Sequence, residues 1–151
     1  MKVVITSDSH GQTDFIKKLA FIHQDANLFL DCGDSCKSEN ELKPFLTVKG
    51  NCDFYNHPRY RIINLGENKI YLFHGDRYFL TDDLLARLSK DNNCNIIIHG
   101  HTHIRKFVVY DNVYILCPGS ISIPRGGNPS YIVLEISDLN QIKVSFKEYG
   151  Y

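Results

Sequence analysis

The stretch Ile96-Ile97-Ile98-His99-Gly100-His101-Thr102-His103 joins an aliphatic run of strand length to a cluster of histidines. The same arrangement, a short apolar run followed by polar side chains, occurs at four earlier places in the chain. These are residues 3–5 before Asp8 and His10, 28–30 before Asp34, 45–48 before Asn51, and 70–73 before His74. The runs do not alternate between apolar and polar residues, which is typical of strands that are buried on both faces.

Helical patterns lie between some of these runs. Residues 12–24 carry apolar side chains on one predicted helical face, and residues 81–90 begin with the N-terminal signal Thr81-Asp82-Asp83. Strands that alternate with helices predict an α/β fold with a largely parallel core. Ligands of such folds bind beyond the carboxyl ends of the strands, so we expect the polar side chains after the runs to meet at one rim.

Three later segments have the pattern of antiparallel hairpins. Residues 106–110 and 113–117 flank the turn Asp111-Asn112, residues 131–136 and 142–149 flank a turn at 137–140, and residues 62–65 and 69–73 flank Gly66-Glu67-Asn68. We expect these segments to add a second sheet that packs on the first.

Size and composition limit the class of protein. A chain of 151 residues fits a single domain, 1–151, and no segment is long enough to cross a bilayer. Lys and Arg together equal Asp and Glu at 17 each, which argues against bulk attraction to nucleic acid or an anionic membrane. The odd count of five cysteines, with no export signal, predicts reduced thiols and a cytoplasmic protein. Edge strands in the last third could pair between copies, so a homo-oligomer is a further expectation.

The polar residues after the runs form a mixed set of metal ligands. Two carboxylates, four imidazoles and one amide oxygen suit Mn, Fe, Zn, Co or Ni and disfavour a calcium site. The seven candidates are Asp8, His10, Asp34, Asn51, His74, His101 and His103. They are too many for one tetrahedral ion, whereas two ions that share a carboxylate would use them all. Two such ions, about 3.5–4 Å apart, provide what phosphate-ester hydrolysis requires.

Each candidate also has a simpler local interpretation. Asp8 and Asp34 could cap helices, Asn51 could be a turn residue, and the histidines could be structural. These interpretations do not account for the shared position after apolar runs. His99 is expected to be structural, and His23, on the first predicted helix, is expected to be solvated.

The ordered blocks resemble the calcineurin-like metallophosphoesterase superfamily. The blocks are Asp8-Ser9-His10-Gly11, Gly33-Asp34, Gly50-Asn51-Cys52-Asp53, His74-Gly75 and Gly100-His101-Thr102-His103. The short chain and the Gly-Asn-Cys-Asp block are similar to the YfcE-like phosphodiesterase branch. Residues 117–125 also resemble a late block of that branch.

The resemblance implies a four-layer α-β-β-α sandwich, with two mixed sheets flanked by helices. It implies one ion held by Asp8, His10, Asp34 and His103, and a second ion held by Asp34, Asn51, His74 and His101. Asp34 would bridge the ions, and a hydroxide between them would be the nucleophile. Catalytic roles would fall to Asp34, Asn51 and His74. Mn is the expected metal, with Ni, Fe, Co and Zn as alternatives.

One departure from the superfamily bears on the substrate. Many members have a histidine after Gly-Asn that can protonate the leaving group, and Cys52 stands there in this chain. A neutral thiol is a poor general acid, which favours small phosphodiesters with good leaving groups. Phosphomonoester or nucleotide hydrolysis is the alternative reaction, and a non-catalytic metal-binding scaffold, similar to the retromer subunit of this fold, is the alternative class. Weaker candidates for substrate contact are Cys52, Asp53, Asp76 and Arg125, with Arg77 as a further phosphate contact.

Overall fold

The computed structural model describes residues 1–150, and these form ten strands and three helices. The strands are β1 (Lys2–Thr6), β2 (Leu28–Asp31), β3 (Phe45–Leu46), β4 (Tyr60–Leu65), β5 (Asn68–Phe73), β6 (Ile96–Ile98), β7 (Arg105–Tyr110), β8 (Val113–Pro118), β9 (Ser130–Ile136) and β10 (Ile142–Glu148). The helices are α1 (Asp14–Ile22), α2 (Glu39–Leu42) and α3 (Asp82–Asp91).

The strands build two mixed sheets of five strands each. The first has the order β10-β9-β1-β2-β3, in which β1, β2 and β3 are parallel and the β9–β10 hairpin is antiparallel to β1. The second has the order β4-β5-β6-β8-β7, in which β5, β6 and β8 are parallel and the two edge strands are antiparallel. Together with the flanking helices, the two sheets confirm the predicted four-layer sandwich.

Both faces of the central strands are buried, which explains their uninterrupted apolar runs. On β1, Val3 and Ile5 belong to the core between the sheets, while Val4 belongs to the cluster that contains Phe15 and Leu19 of α1. Successive side chains of a strand point to opposite faces, so a strand between two packed layers needs apolar residues at every position. The second sheet follows the same rule: its outer face forms a separate cluster with residues of α3.

The helix predictions are confirmed within two residues at each end. Thr81 caps α3 by accepting a hydrogen bond from the Leu84 N–H, and α1 begins after Thr13. Ser38 caps α2 through a capping box with Glu41. Asp8 and Asp34 therefore cap no helix, and the capping interpretation of these two carboxylates is wrong.

The prediction that the hairpins add a second sheet packed on the first is confirmed for β4–β5 and β7–β8 and wrong for β9–β10. The β9–β10 hairpin extends the first sheet because β9 pairs with β1, whereas β8 pairs with β6 and places β7 at the edge of the second sheet. The hairpin turns themselves are confirmed: Asp111 and Asn112 both have positive φ, as a tight two-residue turn requires.

His23 is not solvated, contrary to expectation. Its side chain is buried, and its Nε2 lies 2.9 Å from the Tyr131 hydroxyl on β9. The final turn of α1 faces the first sheet at this point, so a polar side chain there needs a buried partner. Within residues 1–150, none of the helices is long and apolar enough to cross a membrane.

Candidate metal centre

The candidate ligands lie in the loops that follow five strands drawn from both sheets. Asp8 and His10 follow β1, Asp34 follows β2, and Asn51 follows the segment after β3 in the first sheet. His74 follows β5, while His101 and His103 follow β6 in the second sheet. The carboxyl ends of parallel strands meet at one edge, so the two sheets direct these loops to a common site.

Asp8 and Asp34 are the acidic centre of this site. The Nε2 atom of His103 lies 3.2 Å from Asp8 Oδ1, and those of His10 and His74 lie 3.8 and 3.9 Å from the same oxygen. Asp34 Oδ2 lies 3.2 Å from His74 Nε2 and 3.8 Å from His10 Nε2. Both carboxylates are almost fully buried, so three imidazoles converge on two carboxylates away from water.

Asn51 and His101 complete the set on the His74 side. Asn51 Oδ1 lies 3.1 Å from His74 Nε2, and the His101 ring packs against the His74 ring with centroids 5.2 Å apart. The rings of His10 and His103 are likewise 5.2 Å apart. The structure thus brings all seven candidates to one site, where His10 contacts His103, and both Asn51 and His101 contact His74.

Backbone carbonyls fix the tautomers of two of the imidazoles. His74 Nδ1 lies 2.8 Å from the Cys32 carbonyl oxygen, and His103 Nδ1 lies 2.8 Å from that of Ile123. A carbonyl can only accept, so Nδ1 carries the proton in both rings. Each Nε2 therefore faces the carboxylates, and it becomes an electron-pair donor to a metal ion once its own proton is released, the arrangement typical of metal-binding histidines.

The carboxylates and imidazoles shift one another's pKa values. Burial disfavours the charged form of Asp8, but the neighbouring imidazoles of His10, His103 and His74 outweigh it and hold its pKa below the usual range. Burial also disfavours the imidazolium of His74, yet the hydrogen bond with Asp34 and the charge of Asp8 raise its pKa to about 9. A proton on His74 thus offsets part of the buried negative charge, a role that a bound cation would take over.

Two buried polar atoms show that the residues fit a cation. Asp8 Oδ1 and His10 Nε2 are both buried, and neither has a hydrogen-bond partner within residues 1–150. Potential ligand atoms within 4.8 Å of one another form the groups Asp8-His10-His103, Asp8-Asp34-His74 and His10-Asp34-Cys52. Ligand atoms that each lie about 2.0–2.3 Å from one ion are at most about twice that distance from one another. Each group therefore has a spacing that suits one ion, and the three groups together suit more than one ion.

Asp53 supports the site instead of facing a substrate, which corrects its predicted role. Its Oδ2 accepts hydrogen bonds from the backbone N–H groups of Asp34 (2.9 Å) and Gly50 (2.7 Å), and its Oδ1 accepts one from Cys36 (2.8 Å). The side chain is 7% exposed, and both of its oxygens are occupied. Asp53 therefore ties the loops after β2 and β3 together.

The other weak candidates lie around the site. The Cys52 N–H donates to Asp34 Oδ1 at 2.8 Å, and its Sγ belongs to the group with His10 and Asp34. Asp76 lines a cavity beside His74. Arg125 is exposed, and its backbone N–H donates to the His103 carbonyl at 3.0 Å.

Several serines that hold the Asp8 loop were missed by sequence reasoning. Ser7 Oγ donates to Asp8 Oδ2 at 2.6 Å, and the hydroxyls of Ser120 and Ser122 donate to the Asp8 carbonyl at 2.7 and 3.1 Å. Ser120 and Ser122 belong to the late block 117–125, which had been noted only as a resemblance. Its local sequence gives no sign of a partner more than a hundred residues away.

Residues 1–139 match the family model of the calcineurin-like phosphoesterase superfamily domain. The chain therefore belongs to this superfamily, whose members are hydrolases acting on phosphoester bonds.

Two curated relatives place the chain more closely. It is 32% identical over 145 residues to the probable metallophosphoesterase YsnB of Bacillus subtilis, covering 91% of this chain and 86% of the relative. It is 30% identical over 110 residues to the phosphodiesterase YfcE of Escherichia coli K12, covering 66% of this chain and 57% of the relative. The predicted similarity to the YfcE-like branch is confirmed.

Solved structures share the fold over nearly the whole chain. A conserved protein of Streptococcus pneumoniae TIGR4, described as a predicted phosphoesterase, superposes with a TM-score of 0.87 at 29% identity, covering 98% of this chain and 89% of its own. Vps29 of Entamoeba histolytica, solved in complex with zinc, gives a TM-score of 0.77 at 22% identity, covering 99% and 100%. The likeness to Vps29 concerns the fold alone.

Proposed function

We propose that this chain is a phosphodiesterase that works with two divalent metal ions at the candidate metal centre. The observation that carries the proposal is Asp8 Oδ1, a fully buried carboxylate oxygen without a hydrogen-bond partner within the described chain, surrounded by the Nε2 atoms of three histidines. A buried, unpaired carboxylate oxygen is costly, and a cation at this point would remove that cost.

The geometry supports a division of the ligands between two ions. Asp8, His10 and His103 would hold one ion, Asn51, His74 and His101 the other, and Asp34 would serve both. Mn is the metal that we propose, and the mixed nitrogen and oxygen ligands would also accept Ni, Fe, Co or Zn. Such ions, when bound, activate water near neutral pH and offset the negative charge that develops on the phosphoryl group.

The surrounding protein supplies orientation. The Cys32 and Ile123 carbonyls hold the rings of His74 and His103, and the Cys52 N–H holds one oxygen of Asp34 while leaving Oδ2 directed at the histidines. These contacts fix the ligands before a substrate arrives, so little reorganisation is needed during the reaction.

Cys52 supports the choice of diesters. Its Sγ is grouped with His10 and Asp34 at the edge of the centre, where a leaving group would depart. Burial and the nearby Asp34 charge raise the pKa of the thiol, so it is a weak proton donor. Substrates whose leaving group departs without protonation are therefore favoured, and the relative in Escherichia coli is itself named a phosphodiesterase.

We also propose that the substrate is a small phosphate ester met in the cytoplasm. All five cysteines are free thiols, and burial shields Cys32, Cys94 and Cys117 from disulfide exchange. Free thiols are typical of reducing compartments.

The test is hydrolysis of bis(p-nitrophenyl) phosphate by protein that has been stripped with a chelator and reloaded with a single metal. We expect no release of nitrophenol from stripped protein, restored release with Mn, and slower hydrolysis of the monoester p-nitrophenyl phosphate. Asp34→Asn should lower the rate with Mn by roughly a hundredfold or more, because the shared ligand loses its charge. Asp138→Asn, in the exposed turn between β9 and β10, is the matched control and should hydrolyse at the wild-type rate.

The contrary outcomes identify the alternatives. Faster hydrolysis of the monoester would assign the chain to the monoesterases. Metal binding without hydrolysis in the presence of Mn, Ni, Co, Fe or Zn would instead indicate the alternative class, a non-catalytic metal-binding scaffold similar to the retromer subunit of this fold.

A further inference from the structure

A cavity of about 110 Å³ opens next to the candidate metal centre and is lined by three basic side chains. Lys49 comes from the segment after β3, Arg59 from the approach to β4, and Arg77 from the loop after β5. The Lys49 N–H donates to the Pro58 carbonyl at 2.8 Å, which holds the first two segments side by side. Three separate parts of the chain therefore present cations to one concave surface.

We propose that this cavity binds a second phosphate group of the substrate, so that the preferred substrate is a phosphodiester of a phosphorylated nucleoside. The inference rests on the proposed phosphodiesterase function for the reaction, but the cavity can be tested without it.

Charge is the first support. The side chains of Lys49, Arg59 and Arg77 make no ion pair and no hydrogen bond within residues 1–150, whereas Arg61 on the adjacent β4 pairs with Glu39. Asp76 is the acidic side chain on the cavity wall, so cations exceed anions there by two in a chain whose formal net charge is zero. Single exposed cations are ordinary, but three that converge on a cavity create a positive potential that attracts an anion.

Aromatic rings are the second support. Tyr71, Phe73 and Tyr78 line the same cavity, and Tyr78 is 46% exposed while its ring meets Phe73 edge-on with centroids 5.6 Å apart. Tyr71 and Phe73 are buried and support the Tyr78 ring, and a nucleobase can stack on an exposed ring of this kind with little dependence on its identity. Cations beside aromatic rings match the two parts of a nucleotide, its phosphate and its base.

The position of the cavity connects it to the reaction. His74 lines the cavity, and its Nε2 lies 3.2 Å from Asp34 Oδ2 in the metal centre. His74 is thus common to the cavity and the metal centre, and the proposal places the scissile diester at the centre and the second phosphate in the neighbouring cavity.

The deciding experiment is calorimetric titration of chelator-treated, metal-free protein with adenosine monophosphate and, separately, with adenosine. We expect the wild-type protein to bind the monophosphate at least about tenfold more tightly than adenosine, as one charge-assisted contact would give. The double variant Arg59→Gln/Arg77→Gln should lose that difference. Asp76→Asn should bind the monophosphate more tightly than the wild type, because it removes the opposing charge.

Arg87→Gln is the matched control. Arg87 is exposed on α3, outside the cavity, and its variant should bind like the wild type. A thermal melt of each variant checks the fold, which should be unchanged because the substituted arginines have no side-chain partner in the described chain. Equal binding of adenosine and its monophosphate by the wild type would overturn the proposal, as would an unchanged preference in the folded double variant.

A kinetic comparison tests the substrate class. The p-nitrophenyl diester of thymidine monophosphate, with and without a second phosphate on the other sugar hydroxyl, gives two substrates with the same leaving group. We expect the second phosphate to lower KM by about tenfold with little change in kcat, and the double variant to lose this ratio. If neither diester is hydrolysed with any metal, the proposed function fails, and the calorimetry still decides whether the cavity binds phosphate.

Discussion

Five of the seven candidate ligands have left-handed backbone conformations, with φ between 45° and 69°. They are Asp8, His10, Asp34, His101 and His103. A residue other than glycine in this region costs roughly 1–3 kcal/mol, and it persists only when its surroundings enforce it. Backbone hydrogen bonds provide that enforcement, since the N–H groups of Asp8 and His10 donate to the carbonyls of Gly33 and Asp34 at 3.0 and 2.9 Å. The strain is thus concentrated where side chains must be aimed at one point.

Asp31 is a buried carboxyl that lies outside the candidate ligand set. Thr6 and Thr47 donate to its two oxygens at 3.0 and 2.8 Å, and the Gly33 N–H donates to Oδ2 at 3.1 Å. Its full burial nevertheless raises its pKa to about 7. Asp31 therefore joins the ends of β1 and β2 to the segment after β3 while keeping its proton at mildly acidic pH.

This pKa predicts a dependence of stability on pH. The unfolded chain releases the Asp31 proton near pH 4, whereas the folded protein retains it up to about pH 7. The free energy of unfolding should therefore decrease as the pH rises through this window, by up to roughly 4 kcal/mol from this group. In Asp31→Asn this part of the decrease is absent. Urea unfolding of both proteins between about pH 4.5 and 7.5 measures the difference in slope, and parallel curves would contradict the assignment.

At the scale of elements, the loops after β2 and β3 touch with no side chain between them. A Cβ added to Gly50 would overlap Asp34 Oδ1 and would lie 2.6 Å from the Asp34 nitrogen. A Cβ on Gly100, after β6, would lie 2.8 Å from Asp8 Oδ2 and would overlap the Ser7 hydroxyl. Glycine at these two positions lets neighbouring strands deliver their carboxylates to one site.

Gly50→Ala should weaken metal binding because the methyl group displaces the shared carboxylate of Asp34. We expect the affinity for Mn to fall by about 10–100-fold, the range typical for loss of support around a metal ligand. Gly126→Ala is the control, since a Cβ there meets nothing within 4 Å and should leave the affinity unchanged. Calorimetric titration of stripped protein with Mn measures both variants. Wild-type affinity in a folded Gly50→Ala protein would show that the Asp34 loop does not bind the ion.

At the scale of the whole molecule, the site exists because two sheets pack against each other. The first sheet provides Asp8 and Asp34, and the second provides His74 and His103. The two sheets share one core that includes Ile5 and Leu30 from the first and Leu72 and Ile98 from the second. Packing of that core sets the distance between the acidic and imidazole halves of the centre.

Sequence patterns predicted the elements well because those patterns are local. The aliphatic run at Ile96–Ile98 gave a buried strand, and Asp111-Asn112 gave a hairpin turn, as each requires only its own neighbours. The seven candidate ligands could be named in advance because each follows such a run. Their meeting at one rim was also predicted from the pattern, because parallel strands end at a common edge, whereas the division of the ligands between two ions came from resemblance to the superfamily.

Long-range pairing is what the sequence could not provide. The β9–β10 hairpin was expected in the second sheet because nothing local indicates that β9 pairs with β1. His23 was misjudged for the same reason, as its partner Tyr131 lies 108 residues away. The intervals between Lys49, Arg59 and Arg77 along the chain follow no pattern, so the sequence gives no sign that these residues line one cavity.

The central claim is that two ions share the carboxylate of Asp34. Anomalous diffraction from crystals of the full chain grown with Mn, recorded near the metal absorption edge, tests it most directly. We predict two anomalous peaks, about 3.5–4 Å apart, on either side of Asp34, with Asp8, His10 and His103 around one and Asn51, His74 and His101 around the other. A single peak, or none among these side chains in metal-saturated crystals, would contradict the claim.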